Sequence, residues 1–221
     1  MFFFKKKPKI ILMGGGKLAG ILYWIFKDQY DFIGYVDDIH EHAYIEEHYG
    51  LKKIGTSKDL TKLLSVCKNA VISIASDRDL SPRIKYFEMF SKAGFDLPAM
   101  ISPAAIVAPN ASIGKGTIIQ HGVMIDPMVK IGYNCLIASG SIIRHDGRIG
   151  NNVFMAPGVT TNGEVIIGDN TFMGTRSVAI SRIKIGSNCI VGASSCVIRD
   201  IPDGTTVAGV PARNIQRSGD K

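Results

Sequence analysis

The stretch that decides the fold runs from Ile131 to Met155 and reads IGYNCLIASGSIIRHDGRIGNNVFM. An aliphatic residue or methionine occupies every sixth place in it. The same phase continues, with few departures such as Thr161, from Ile101 to Val197. A helix repeats every 3.6 residues and a strand every 2, so a period of six fits neither alone. It predicts a solenoid of short strands, three per coil, with one aliphatic side chain per side stacked in a central column.

A second, longer period lies over the first, because every third hexapeptide opens with Ile-Gly. The pairs are Ile113-Gly114, Ile131-Gly132, Ile149-Gly150, Ile167-Gly168 and Ile185-Gly186. Asparagine follows two residues later in four of them, which is a turn signal. We therefore expect coils of three hexapeptides each from about Ser102 to Ile201, with the Ile-Gly pairs stacked at one corner and no helix between Ile113 and Ile198.

The first hundred residues follow a different pattern, in which strands alternate with helices. Strands are predicted at Lys9–Met13, Phe32–Val36 and Ala70–Ala75. Helices are predicted at Lys17–Lys27, at Ser57–Val66 with Ser57 as the cap, and at Ser81–Ala93. This alternation indicates a small Rossmann-like parallel α/β domain over residues 1–97. The β-helix domain is then expected over residues 98–210, followed by a C-terminal tail over 211–221.

Composition narrows the class of protein. A hydrophobic content of 46% in 221 residues is typical of a globular chain. No apolar run approaches the roughly 20 residues that span a bilayer, and the start of the chain does not resemble a secretory signal, so we predict a cytoplasmic protein without membrane insertion. The four cysteines suggest neither disulfides nor a metal site. The net charge of +7 favours anionic partners. Because the basic residues are spread out without interleaved aromatics, polyphosphate substrates explain this charge at least as well as nucleic acid.

A glycine-rich turn follows the first predicted strand. The segment Gly14-x-Gly16-x-x-Ala19, with Asp37 further on, approximates the dinucleotide fingerprint. Glycines let a backbone approach phosphate at a helix N-terminus, and the acid could bond a ribose hydroxyl. The alternative is a tight turn with no ligand. So short an α/β region leaves little room for a dinucleotide, and a mononucleotide fits better.

His145 and Asp146 place an imidazole beside a carboxylate within the repeats. Such a pair suits a general base, because the carboxylate fixes the tautomer of the ring and raises its basicity. Neighbours in a strand point to opposite faces, so the pair requires a corner, which Gly147 would permit. Gly163 lies one coil later and would leave space and a backbone N–H beside His145, either as an oxyanion donor or as part of a plain turn.

Other histidines are weaker candidates. His145 itself could be an ordinary surface histidine, and His121 competes with it from a different side of the prism. The remaining three, His40, His42 and His48, fall in a polar, charge-rich segment, where we expect them to be solvated.

Further motifs carry a resemblance to a known family. They are the Gly14–Ala19 turn, Tyr35-Val36-Asp37-Asp38, Ile54-Gly55-Thr56, the repeats, His145-Asp146, and the ending Val207-Ala208-Gly209-Val210-Pro211-Ala212-Arg213. The chain resembles, from Lys9 to Ile215, the hexapeptide-repeat acyltransferases, whose left-handed β-helix uses acetyl-CoA. It is most similar to the branch with an N-terminal nucleotide-binding domain, which contains the bacillosamine- and perosamine-type N-acetyltransferases and relatives that O-acetylate sialic acid.

This resemblance implies roles for particular residues. His145 would be the general base, and Asp146 would tune it. The nucleotide of the sugar would be held by Gly14, Gly15, Gly16, Lys17, Asp37, Asp38, Ala75 and Ser76. The acetyl-CoA groove would be lined by Phe154, Gly163, Thr175 and Ala193 between two subunits of a homotrimer, with Arg213 near the CoA phosphates. Two places depart from the family pattern, Lys17-Leu18 in the turn and Ala75-Ser76 after the third predicted strand, which leaves the identity of the bound base open.

The predicted function is transfer of an acetyl group from acetyl-CoA to the amine of a nucleotide-activated amino-deoxy sugar, of the 4-amino-4,6-dideoxyhexose type, for bacterial surface glycan synthesis. An O-acetyltransferase of sialic acid or another sugar is the first alternative. A non-catalytic binding protein that uses the solenoid as a scaffold is the second. The sequence leaves the base, the sugar stereochemistry and the acyl length open.

Overall fold

The computed structural model describes residues 6–40, 43–76 and 79–215. It consists of two compact units, Met1–Pro98 and Ala99–Lys221. His42 and residues 216–221 of the predicted tail lie outside the described residues. Within the described part of that tail, Arg213–Asn214 forms a strand that pairs antiparallel with Thr206–Ala208.

The first unit is a four-stranded parallel sheet with helices. Its strands are β1 (Lys9–Met13), β2 (Asp31–Val36), β3 (Lys53–Gly55) and β4 (Ala70–Ile72), in the order β3-β2-β1-β4. Its helices are α1 (Lys17–Phe26), α2 (Tyr44–Tyr49), α3 (Leu60–Val66, after a 3₁₀ turn at Ser57–Asp59) and α4 (Ser81–Lys92). The apolar side chains of the central strands are buried among those of the helices, as expected for a parallel sheet covered on its faces.

Several details of this unit differ from the sequence prediction. Helix α2 and strand β3 were not predicted. Strand β4 ends at Ile72 rather than at Ala75, because its partner in the sheet, β1, ends at Met13 opposite Ile72. The cap before α3 is Thr56 rather than Ser57: the Thr56 hydroxyl accepts the Lys58 N–H, and the Asp59 carboxylate accepts the Thr56 N–H.

The second unit is a three-sided prism of parallel strands, apart from the antiparallel pair at its C-terminal end. A six-stranded face contains Ile106–Val107, Met124–Ile125, Ile142–Ile143, Thr160–Thr161, Val178–Ala179 and Cys196–Val197. A five-stranded face contains Ser112–Ile113, Lys130–Ile131, Arg148–Ile149, Ile166–Ile167 and Lys184–Ile185. An eight-stranded face contains Met100–Ile101, Ile118–Ile119, Leu136–Ile137, Phe154–Met155, Phe172–Met173, Ile190–Val191, Thr206–Ala208 and Arg213–Asn214.

The predicted coil of three hexapeptides is confirmed by the strand register. Leu136 pairs with Ile118 on one side and with Phe154 on the other, each three hexapeptides away along the chain. The second residue of each strand points inward and builds one buried core from Ile119 to Val207. Every regular element between Ser112 and Val197, all of it described, is a two-residue strand, so no helix interrupts the predicted stretch. No helix in the described parts of the chain is long and apolar enough to cross a membrane.

The corner that follows the five-stranded face carries the asparagines, and we call residues 132–135, 150–153, 168–171 and 186–189 the asparagine corner. Asn134, Asn152, Asn170 and Asn188 all adopt the left-handed conformation, with φ between 55° and 57°. Each of the first three donates a side-chain N–H to the next asparagine in the series, at 2.9, 2.9 and 3.2 Å. The preceding Ile-Gly pairs stack at this corner as predicted. Ile131 pairs with Ile149, and a Cβ on Gly132 would lie 2.6 Å from the Gly150 carbonyl oxygen.

Candidate active site

His145 and Asp146 lie at the corner between the six-stranded and five-stranded faces. We call residues 144–147, 162–165 and 180–183 the histidine corner. Asp146 adopts the left-handed conformation, with φ of 59°, and this turn brings two consecutive side chains to the same side of the backbone. His145 Nδ1 is 3.0 Å from Asp146 Oδ2. The corner that the pair requires is therefore present.

The geometry of the pair selects one tautomer of His145. A carboxylate accepts but cannot donate, so Nδ1 carries the proton and Nε2 keeps a lone pair. Both side chains are about half exposed, at 54% for His145 and 56% for Asp146. The Nε2 atom can therefore accept a proton from a molecule that approaches the corner.

Gly163 lies against the ring of His145, as the spacing of one coil predicts. A Cβ at Gly163 would be 2.5 Å from both Cε1 and Nε2 of His145, so only glycine leaves room for the imidazole. The N–H groups of Asn162 and Glu164 donate to Ala179 and His145 carbonyls. The N–H of Gly163 donates to no residue in the described part of the chain. One backbone donor thus remains open beside the candidate base.

His121 lies at the third corner of the prism, which comprises residues 120–123, 138–141, 156–159, 174–177 and 192–195. Its Nδ1 is 3.3 Å from the Ser102 hydroxyl, and Gly122 follows it in the left-handed conformation. A hydroxyl is a weaker partner for an imidazolium than a carboxylate, so the electrostatics favour His145 as the base.

The structure separates the residues predicted for acetyl-CoA within one chain. Gly163 adjoins His145, whereas Thr175 and Ala193 belong to the third corner, where Ser194 N–H donates to the Thr175 carbonyl. Phe154 points outward from the eight-stranded face and meets Phe172 edge-on, with ring centroids 5.3 Å apart.

Arg213 lies at the C-terminal end of the prism. It lines a cavity of about 300 Å³ together with Arg199 and Asp200. Among the described residues, no cluster of three His, Cys, Asp or Glu side chains could hold a metal ion.

The α/β unit has a cavity of about 400 Å³ at the carboxyl ends of its strands. In open α/β sheets, ligands bind where the strand order reverses, and here that point lies between β1 and β4. The lining includes six residues predicted for the nucleotide: Gly14, Gly16, Lys17, Asp37, Asp38 and Ala75. Gly15 lies behind the lining and donates its N–H to Asp37, at 2.9 Å. Ser76 is not part of the lining, and its hydroxyl accepts the Asp79 N–H.

Asp37 is buried, with 5% of its surface exposed. Its carboxylate accepts backbone N–H groups from two segments that meet at this cavity. Burial by itself raises the pKa of its carboxyl. The backbone N–H groups of His40, Gly15 and Ile39 outweigh burial, and the pKa falls below its ordinary value.

Asp38 also lines the cavity, and its carboxylate bonds to two distant segments of the chain. It accepts the N–H and the hydroxyl of Ser57 and the hydroxyl of Tyr86. Burial and the bond to Asp38 raise the pKa of Tyr86 to about 12.

Several lining residues were not predicted for this cavity: Leu18, Ile39, His40, Ser73, Ile74, Pro82 and Tyr86. They come from four separate segments, and no motif in the sequence connects them. A signal existed only for the segment after β2, where Ile39 and His40 directly follow the two acids.

Solved structures share this architecture. The Caulobacter crescentus protein PerB in complex with CoA and GDP-perosamine is 27% identical, and the match covers 94% of this chain and 97% of that one, with a TM-score of 0.86. A single-residue variant of GDP-perosamine N-acetyltransferase from the same organism matches at 26% identity over 94% and 97% of the two chains, with a TM-score of 0.87. The acetyltransferase domain of PglB from Neisseria gonorrhoeae matches at 26% over 95% and 100%, with a TM-score of 0.86.

The predicted resemblance to the hexapeptide-repeat acetyltransferases is confirmed. So is the predicted fold class, a Rossmann-like α/β domain followed by a left-handed parallel β-helix. No protein-family model and no curated protein matches the chain.

Proposed function

We propose that this chain is an acyltransferase that moves the acetyl group of acetyl-CoA to the amine of a nucleotide-linked amino-deoxy sugar. The observation that carries the proposal is the arrangement of His145, Asp146 and Gly163 at one corner of the prism. It occurs in a chain that matches, over 94% of its length, a protein solved with CoA and GDP-perosamine.

The residues at the histidine corner supply the expected steps of acyl transfer. The amine nitrogen attacks the thioester carbonyl carbon while His145 Nε2 takes a proton from that nitrogen. Asp146 stabilises the imidazolium that forms, and the open N–H of Gly163 donates to the oxyanion. When the C–S bond breaks, the imidazolium returns the proton to the sulfur, which leaves as the CoA thiol. A positioned base of this kind contributes on the order of 10²–10⁴ in rate.

The distribution of the acetyl-CoA candidates supports assembly into a homotrimer. Thr175 and Ala193 lie at the third corner, and the six-stranded face separates that corner from His145. A neighbouring copy that brought its third corner to this copy's histidine corner would unite the two halves of the groove. Arg213, exposed at the end of the prism, is a candidate for the CoA phosphates.

The outward residues of the faces fit such an assembly. Those of the six-stranded face are Ile106, Met124, Ile142, Thr160, Val178 and Cys196. Those of the five-stranded face are Ser112, Lys130, Arg148, Ile166 and Lys184. The first set is mostly apolar, with 66% of Ile106 exposed, whereas the second carries three cations. Burial of the six-stranded face between copies would remove apolar surface from water.

The assembly is tested by light scattering at micromolar concentration, where we expect about three chain masses. Ile106→Asp should shift the species toward one chain mass and lower activity, because the groove would lose one of its sides. A stable, fully active monomer would contradict the trimer.

The cavity in the α/β unit is the proposed site for the nucleotide of the acceptor. Helix α1 begins directly behind Gly16 without a capping side chain and without an acid in its first turn. Its N-terminal N–H groups, the glycine loop and the exposed Lys17 suit a diphosphate. Calorimetry should show binding of one nucleoside diphosphate, weakened by Lys17→Ala, and no heat with NAD.

The reaction is tested with acetyl-CoA and a panel of UDP-, GDP- and dTDP-linked 4-amino-4,6-dideoxy sugars, by CoA thiol release and by the mass of one acetyl group gained. The same amino sugars without a nucleotide are the control. Equal efficiency without the nucleotide would favour the alternative, an O-acetyltransferase of sialic acid or another sugar. No transfer to any acceptor would favour a non-catalytic scaffold. The proposal places the enzyme in the cytoplasm, in agreement with four cysteines that all remain free thiols.

A further inference from the structure

His40 is an exposed histidine that is nevertheless held at three points. Its N–H donates to Asp37 Oδ1 at 2.8 Å, and its carbonyl accepts from Lys53 Nζ at 2.8 Å. Its ring nitrogen Nδ1 is 3.3 Å from both carboxylate oxygens of Asp37. The side chain is 55% exposed, so packing does not account for this restraint. His40 lines the same cavity as Gly14, Gly16 and Lys17.

The acceptor capacity of Asp37 is largely occupied. A carboxylate has about four acceptor positions, and Asp37 already meets the backbone N–H groups of Gly15, Ile39 and His40 together with the ring of His40. In a Rossmann-like fold, the end of β2 is where a ribose hydroxyl finds its acceptor. Asp37 stands at that position in the chain, but its oxygens are engaged by the protein itself.

The ring of His40 supplies an acceptor in its place. When Nδ1 donates its proton to Asp37, Nε2 on the opposite side of the imidazole carries a lone pair. A neutral nitrogen with a lone pair accepts from a hydroxyl and does not bind a phosphate oxygen. The phosphates already have the glycine loop and Lys17, which follow β1 rather than β2.

We propose that His40 is the ribose-recognising residue of this cavity, with Nε2 accepting a ribose hydroxyl of the bound nucleotide and Asp37 acting as a positioning residue. The inference rests on the proposed function, because it requires a nucleotide in the cavity. It makes the site selective for ribonucleoside diphosphates over forms that lack one ribose hydroxyl.

Calorimetry tests this with UDP and GDP and with the 2′-deoxy and 3′-deoxy forms of each. The wild type should bind one deoxy form roughly three- to tenfold more weakly than the parent, the worth of one hydrogen bond. His40→Ala should weaken the parent by a similar factor and bind all three forms alike. His40→Gln, which can present an amide oxygen, should restore part of the discrimination. A purely structural role for His40 would not produce this pattern.

Two further variants distinguish the loss of a ribose contact from a general effect of mutation and from the loss of a phosphate contact. His48→Ala removes an exposed histidine of the same unit, one that bonds to the Tyr44 carbonyl and does not line the cavity, and it should behave as the wild type. Lys17→Ala should weaken all three forms equally. Full discrimination in His40→Ala, or none in the wild type, would overturn the inference and leave the nucleotide site standing. No binding of any nucleoside diphosphate to the wild type would overturn both.

Discussion

The asparagine corner and the histidine corner belong to the same coils, and both turn the chain through left-handed residues, yet they differ in how many of their polar side chains bond from coil to coil. At the asparagine corner, side chains bond from coil to coil, and the N–H groups of Tyr133 and Asn151 donate to the next side chain at 3.1 and 2.7 Å. At the histidine corner, Arg182 bonds to Glu164 one coil away at 3.1 Å, but His145 bonds to its own neighbour Asp146, and the N–H of Gly163 stays open.

This difference indicates where stability and chemistry are located in a repeat. Every coil could in principle carry the asparagine arrangement, because the backbone repeats. At the histidine corner, His145 and Gly163 depart from that arrangement, although Arg182 still bonds to Glu164 in the neighbouring coil. Departures of this kind are expected at functional sites.

The largest effect is expected from His145→Ala. Loss of the base should lower kcat by on the order of 10²–10⁴, whereas the melting temperature should barely change because the side chain is outward and half exposed. Steady-state acetyl transfer and thermal unfolding measure the two quantities. Asp146→Asn should cost less. If His121→Ala abolished turnover while His145→Ala kept it, the base would lie at the third corner.

Gly163→Ala should follow, with kcat lower by roughly 10–10²-fold, because the added methyl occupies the place of the imidazole ring. Gly163 does not have a positive φ, so alanine adds no backbone strain and the melting temperature should stay close to that of the wild type. Ser181→Ala, one coil further at the same corner, is the matched control and should retain activity. Unchanged kinetics in Gly163→Ala would show that the ring position is not critical.

Asp37→Asn tests a carboxylate that, unlike that of Asp146, is buried and accepts three backbone N–H groups. Its amide cannot accept every N–H that the carboxylate accepts, so the free energy of unfolding at pH 7 should fall by about 2–3 kcal/mol. Because the pKa of Asp37 is lowered by folding, its contribution is complete above the ordinary value near 3.8 and disappears as the pH falls through the lowered pKa.

Denaturant unfolding from pH 7 to pH 2 measures this dependence. The wild type and Asp37→Asn should converge only below about pH 4. A constant difference across this range would mean that the charge of Asp37 does not contribute.

The smallest effect concerns the asparagine corner. Asn152→Ala should cost about 2 kcal/mol, roughly half from two side-chain hydrogen bonds and half from placing alanine at φ of 56°. Asn152→Gly keeps the left-handed turn and should cost about 1 kcal/mol from the hydrogen bonds alone. Chemical denaturation of both variants separates the two contributions. Neither variant should change kcat. A loss of activity would show that the asparagine corner contributes to catalysis as well as to stability.

Much of the prism could be predicted from the sequence because each coil contacts only its neighbours, so one spacing of three hexapeptides repeats every contact. That spacing predicted the coil length, the inward column, the turns at the asparagines and the position of Gly163 beside His145. The resemblance added the roles of His145 and Asp146, and these remain predictions.

The cavity of the α/β unit was decided by tertiary structure. Its walls depend on contacts such as Tyr86 with Asp38, 48 residues apart, and Ser73 with Met13, 60 residues apart. The strand order β3-β2-β1-β4 creates these contacts, and no local spacing encodes that order. The sequence placed two acids at the end of β2. Only the folded sheet determined that the oxygens of Asp37 are taken by three backbone N–H groups, so that the side chain of His40 is left facing the cavity.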